Sequence, residues 1–178
     1  MRRIFTTILT AASLFTFAAQ AQDSEFPTSQ EIADEQNGVV ARFNDWDIRC
    51  AEDASNCRMV QLAKDDAGNN VVSATMQVLP EGSSAQLGVV MVSPLLTLLQ
   101  RGISVSVDDG VPAAYPFSWC DQQGCYARFG LTAAQVDAFK AGSAANVKIF
   151  AVTDAENPVV ANLSLAGFTD AIADLAGR

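Results

Sequence analysis

Four cysteines are the most reactive side chains in this sequence, and they fall in two close pairs, Cys50 with Cys57 and Cys120 with Cys125. Three chemistries use cysteines this way: a zinc site of four thiolates, a redox couple, or structural cross-links. The C-x6-C and C-x4-C spacings match neither the knuckles of zinc ribbons nor the C-x-x-C of thioredoxin-like enzymes. Of the three possible pairings, short local turns favour Cys50 with Cys57 and Cys120 with Cys125, both as inert disulfides. The chain has no histidine, which excludes Ser-His-Asp and Cys-His catalysis, His-ligated zinc and an imidazole pH switch. Serines such as Ser118 and Ser164 would need Lys64, Lys140 or Lys148 as a base, and no S-x-x-K signature supplies one. The carboxylate pairs Asp45 and Asp47, Asp65 and Asp66, and Asp108 and Asp109 suggest calcium or a shared proton. No D-x-D-x-D-G loop with a distal glutamate is present, however, and the last two pairs lie near glycines in turns where aspartate bonds its own backbone. We therefore expect no catalytic residue, no metal and no cofactor.

Recognition is the remaining chemistry. Trp46, Tyr115, Phe117, Trp119 and Tyr126 lie near the two cysteine turns, and Trp46, Tyr115, Trp119 and Tyr126 are the candidate binding residues. Core packing is the default for such residues. Trp46 precedes Cys50 by four residues, a spacing suited to covering its bridge, whereas Tyr115 and Trp119 lie in a proline-containing stretch that favours partial exposure.

The elements that must position these residues read as short strands separated by turn signals. Expected strands are 39–43 and 46–50 around Asn44-Asp45, 57–63, 71–79, 87–92, 103–107, 126–129, 147–153 and 159–165. Val72, Ala74, Met76 and Val78 alternate as one buried face, and Ile103, Val105 and Val107 do the same. The apolar run from Leu87 to Val92 fits a strand covered on both sides, and Leu95 to Leu99 fits a strand or a short turn. Pro112 and Pro116 should limit pairing up to Trp119. Asp65 to Asn69 and Asp154 to Pro158 read as hairpin loops. Thr132 with Gln135 forms a capping box, Leu131 with Val136 a staple, and Lys140 and Gly142 close that helix. Phe168, Ile172 and Leu175 mark a second short helix. Seven to nine strands with one or two short helices predict a mainly β fold, a sandwich rather than a closed barrel.

The length of 178 residues fits one domain, and 49% hydrophobic against 17% charged residues excludes disorder. Residues 1–21 read as an export signal: basic Arg2 and Arg3, an uncharged run from Ile4, and Ala19-Gln20-Ala21 as the cleavage site. Residues 22–38 read as a polar, acidic, flexible arm, and 39–178 as the globular domain. Removing Arg2 and Arg3 leaves 9 basic against 20 acidic side chains, a net charge of −11. Such a chain is a poor ligand for nucleic acid or anionic lipid, and favours basic or neutral partners. No later apolar run is long enough to span a bilayer, so the mature chain should lack a transmembrane segment. An even cysteine count behind an export signal points to the periplasm or to secretion.

Four pieces of the sequence together resemble the invasion-associated locus B family of exported bacterial proteins, over roughly Phe43 to Leu175. They are Trp46-Asp47-Ile48-Arg49-Cys50 with Cys57-Arg58-Met59-Val60-Gln61; Leu87-Gly88-Val89 with Pro94-Leu95 and Gly102 to Asp108; Cys120 with Gly124-Cys125; and Val159 to Ala171. The resemblance implies an immunoglobulin-like β-sandwich in the periplasm or outside the cell, and a role named from host-cell invasion in some members. It implies no catalytic set. The reading of the whole is a disulfide-clipped, non-enzymatic protein that binds another protein or an envelope component. The alternatives are a small-molecule binder or hydrolase using carboxylates or a Ser-Lys pair, and a chaperone-like protein with an exposed apolar groove or sheet edge.

Overall fold

The structure is a computed structural model that describes residues 38–178. The expected export signal and all of the expected arm except Gly38 lie outside the described residues.

Alternating burial builds the strands. β1 (Val39–Phe43) and β2 (Trp46–Arg49) form a hairpin about Asn44, whose φ of 49° suits a tight turn. β3 (Arg58–Lys64) and β4 (Asn70–Val78) follow, joined by a turn in which the Asp65 carboxylate accepts hydrogen bonds from the backbone N–H of Ala67 and of Asn69. β5 (Leu87–Ser93) buries Leu87, Val89, Met91 and Ser93 but leaves Gly88, Val90 and Val92 half-buried on its other side. The unbroken apolar run therefore has one core face, not two. A single 3-10 turn (Leu99–Arg101) then leads into β6 (Ile103–Val107).

β7 (Ala113–Tyr115) and β8 (Phe117–Cys120) flank Pro116, and β9 (Cys125–Leu131) pairs with both β8 and β5. β10 (Ala144–Ala151) and β11 (Asp154–Ser164) complete the sheet. Their hairpin turns at Val152 and Thr153, so Asp154 to Pro158 belong to the strand as a bulge, with Ala151 facing Asp154 and Phe150 facing Pro158. The Asp154 carboxylate holds the extra residues by accepting from the backbone N–H of Glu156 and Asn157.

The strands run in the order β7-β6-β10-β11-β3-β4-β5-β9-β8, with β2 on β3 and β1 on β2. The first half of β3 pairs with β2, while its last residue, Lys64, faces Asn162 of β11. The sheet folds over at that fork. Its two ends, β7 and β8, are consecutive in the chain, and Pro116, with no N–H to offer a ladder, is the only residue between them. Tyr115 of β7 stacks on Phe129 of β9 at a ring separation of 3.7 Å, so the sandwich nearly closes on itself. The fold is mainly β and sandwich-like with two short helices, as expected. The eleven strands exceed the seven to nine expected because the proline-containing segment forms two short strands on either side of Pro116.

Helix α1 (Ala133–Ala141) begins at the expected capping box: Thr132 Oγ1 accepts from Gln135 N, and Gln135 Oε1 accepts from Thr132 N. Helix α2 (Phe168–Ala176) starts at Gly167, whose φ is 81°. α1 buries Val136 and Phe139; α2 buries Phe168, Ala171 and Leu175. Phe168 lies 5.6 Å from the Trp46 ring and 5.3 Å from that of Phe139, which joins both helices to the core.

Candidate recognition surface

The β8-β9 hairpin carries the most exposed aromatic group among the candidates. Its turn is held by Asp121, whose carboxylate accepts from the backbone N–H of Gln123 (2.8 Å) and of Gly124 (3.3 Å). Cys120 and Cys125 face each other across the ladder and are joined by a disulfide; the second disulfide joins Cys50 to Cys57. Both local pairings are those favoured by the spacing. A cross-link at the first rung after the turn fixes the hairpin's register, and with it the side on which every following residue emerges.

The next rung pairs Trp119 with Tyr126, and their rings stack at 4.8 Å with planes 10° apart. Trp119 is 43% exposed. Arg128, two residues beyond Tyr126 on the same side of β9, holds its guanidinium 6.0 Å from the Trp119 ring, at the outer limit of a cation–π contact. The Tyr126 hydroxyl donates to Gln123 Oε1 (3.1 Å), and burial, then the negative charge of Asp121, push its ionisation above the usual phenol range. Tyr126 thus stays a neutral phenol with an apolar face and a polar tip.

The register extends this platform across the sheet. One outward row runs Leu62, Ser73, Val92, Tyr126, Trp119 over β3, β4, β5, β9 and β8. A second runs Arg42, Asp47, Val60, Thr75, Val90, Arg128 over β1 to β5 and β9. Arg42 is bonded to Asp47 through its Nε and Nη2, and Arg49 Nη2 lies 3.6 Å from the same carboxylate.

The other aromatic candidates lie elsewhere. Trp46 is fully buried, and its Nε1 donates to the carbonyl of Ser164 at 3.1 Å, so it is a core residue and not a surface contact. Indole and helix α2 need each other to exclude water. Tyr115 is half-buried; its hydroxyl accepts from Gln135 Nε2 (2.9 Å), so it ties β7 to α1. Phe117 packs against the core. Arg128, Val90 and Val92 were absent from the sequence candidates. The alternation of Cys125 and Ala127 with Tyr126 and Arg128 signals that Arg128 shares the Tyr126 side, but which strand lies beside β9 is set by long-range pairing.

The carboxylates serve local structure. Hydrogen bonds from Asn69 hold the Asp65 carboxyl below the usual range, Ser55 does the same for Asp53, and Asn157 for Asp154. Asp108 accepts from the backbone N–H of Ser143 and of Ala144. No group of three or more His, Cys, Asp or Glu among the described residues converges as metal ligands would. Ser164 faces Ala144, and its Oγ accepts from Ala166 N; Lys140 lies on α1 and Lys148 faces Ser104. Ser164 is thus not placed opposite a lysine. A depression of about 150 Å³ lined by Asn56, Cys57, Val78, Leu175 and Arg178 is smaller than the roughly 300 Å³ at which small-molecule sites begin. No helix of the described residues is long and apolar enough to cross a membrane.

Comparison with known proteins agrees with this architecture. Residues 46–176 match the family model described as Invasion associated locus B (IalB) protein. An Invasion protein B homolog from Brucella abortus strain 2308 is 30% identical over 161 residues, covering 89% of this chain and 90% of the relative. Its counterpart in Brucella abortus biovar 1 strain 9-941 matches to the same extent. The crystal structure of invasion associated protein B from Bartonella henselae superposes with a TM-score of 0.67 at 20% identity, over 77% of this chain and 95% of that one, and shares the fold. With a family match spanning residues 46–176 and a relative 30% identical over 89% of the chain, the chain belongs to the Invasion associated locus B family.

Proposed function

We propose that this chain is an exported, non-enzymatic recognition protein of the periplasm or cell exterior, and that the face centred on Trp119, Tyr126 and Arg128 binds a protein or envelope component. The stacked Trp119–Tyr126 pair carries the reading. A tryptophan left 43% exposed on a hairpin locked by its own disulfide is a rigid apolar anchor that loses little conformational entropy on binding. Export is supported by the residue pattern of 1–21 and by the two disulfides, which persist in oxidising compartments. The names of the Brucella and Bartonella relatives support a role at contact between a bacterium and its host.

Affinity capture from an envelope extract tests this, with the oxidised chain starting at Gln22 set beside Trp119→Ala. Loss of an interface tryptophan costs about 2 kcal/mol or more, roughly thirtyfold in affinity. We expect the specifically retained component to be lost from the Trp119→Ala column while the variant keeps its thermal midpoint within a few degrees. Equal retention on both columns would contradict the assignment of this face.

A further inference from the structure

We infer that the outer face of β1–β5, β8 and β9 accepts an acidic peptide segment studded with apolar side chains, supplied by a protein partner. The inference rests on the proposed recognition role and deepens it by naming the partner's chemistry. Its basis is a charge distribution that the net charge hides. These seven strands carry five of the nine cationic side chains between residues 38 and 178, namely Arg42, Arg49, Arg58, Lys64 and Arg128, and a single carboxylate, Asp47. The rest of the described chain carries four cations and fourteen carboxylates.

All five cations point outward. Arg49 faces Arg58 across β2-β3, next to a rung where Ile48 and Met59 fill the core, and Arg128 faces Val90 next to the buried Ala127 and Met91. Lys64 closes β3 as an exposed residue. At about 4.8 Å per strand, the row from Arg42 to Arg128 spans about 24 Å. Seven of the fourteen carboxylates, Asp45, Glu52, Asp53, Asp65, Asp66, Glu81 and Asp121, lie in the turns that join these same strands, so they rim the face, while the only charged side chains on the strands themselves are the five cations and Asp47. Arg42 and Arg49 share the Asp47 carboxylate, so Arg58, Lys64 and Arg128 are the cations that a ligand carboxylate meets first.

Between the cations lie Val60, Leu62, Val90 and Val92, half-buried, with Trp119 and Tyr126 at one margin. A peptide laid across this strip places apolar side chains on the valines and on the stacked rings, and carboxylates on arginines, whose planar forks bind them in pairs. An anionic bilayer fits less well. The valines are half-buried, whereas interfacial insertion needs apolar groups reaching about 5–10 Å into the membrane, and a bilayer broad enough to cover the face would meet the turn carboxylates at its rim.

The test uses the oxidised chain from Gln22 onward and a fluorescein-labelled peptide alternating glutamate with valine and phenylalanine, read by anisotropy. Controls are the same peptide with lysine in place of glutamate, and vesicles of phosphatidylglycerol. We expect the acidic peptide to bind, the lysine peptide to bind at least tenfold more weakly, and added salt to weaken the complex. Arg58→Glu with Arg128→Glu should reduce affinity about tenfold or more, Arg58→Gln with Arg128→Gln by less, and Lys148→Glu on β10 should leave it unchanged. The glutamine pair keeps the inference testable if charge reversal disturbs folding. Equal affinity for the two peptides, indifference to Arg58 and Arg128, or binding to vesicles without binding to peptide would each overturn it. Failure of the peptide alongside Trp119-dependent capture from the envelope extract would overturn this inference alone and leave the recognition role standing.

Discussion

Replacing Trp46 with alanine is expected to destabilise the domain by about 3–5 kcal/mol, as for a buried large aromatic. The indole is fully buried at the junction of β2 and α2, 5.6 Å from the Phe168 ring, and its Nε1 donates to the Ser164 carbonyl. Truncation leaves a cavity lined by residues of several elements, which cannot all move inward together. The hydrogen bond is the smaller part of the loss. Ser164 keeps a second partner, because Gln61 Nε2 donates to the same carbonyl at 3.0 Å while Gln61 Oε1 accepts from Ser164 N at 2.7 Å. Trp46→Phe should therefore recover more than half of the deficit. Denaturant unfolding of the oxidised protein measures both variants, and a loss below about 1 kcal/mol for the alanine variant would show the site is not a core anchor.

Gly167→Ala is expected to cost about 2–5 kcal/mol, from a left-handed backbone that disfavours a Cβ by about 1–2 kcal/mol and from overpacking worth about 1–3 kcal/mol. Gly167 has φ of 81°, and a Cβ there would collide with the Phe43 carbonyl, a backbone group that cannot swing aside. The collision falls where β1 meets the start of α2, so α2 should show faster amide exchange as the thermal midpoint falls. Gly68→Ala is the control. Its φ of 85° is as unfavourable for a side chain, but a Cβ there meets nothing within 4 Å. Equal losses in the two variants would show that backbone conformation alone accounts for the effect and would refute the collision.

Much of this architecture is legible in local sequence because its causes are local. Thr132 and Gln135 cap α1 through each other, the cysteines bridge over seven and five residues, and the alternation of Val72, Ala74 and Met76 marks the buried face of β4, although Val78, expected to continue it, is exposed at the strand's end. Features set by distant pairing were not legible. Leu87 to Val92 looks the same whether one face is covered or two, and only its pairing with β4 and β9 shows Val90 and Val92 on the outward side. For Trp46 core packing is the default reading, but the ring that covers it, Phe168 of α2, lies more than a hundred residues later and could not be read locally. The placement of charge was hidden for a related reason: an acidic average says nothing of where the cations fall, and the register gathers five of nine on one layer.

In the proposed role the Cys120–Cys125 disulfide is a clamp that presents a recognition surface and is not a reagent. Retention of envelope components on an immobilised chain carrying Cys120→Ser with Cys125→Ser, beside the wild-type chain, tests it most directly. The variant is expected to remain folded through its core but to retain at least tenfold less of the component that depends on Trp119, because the Trp119–Tyr126 rung loses its fixed register. Undiminished retention by the folded serine variant would contradict it.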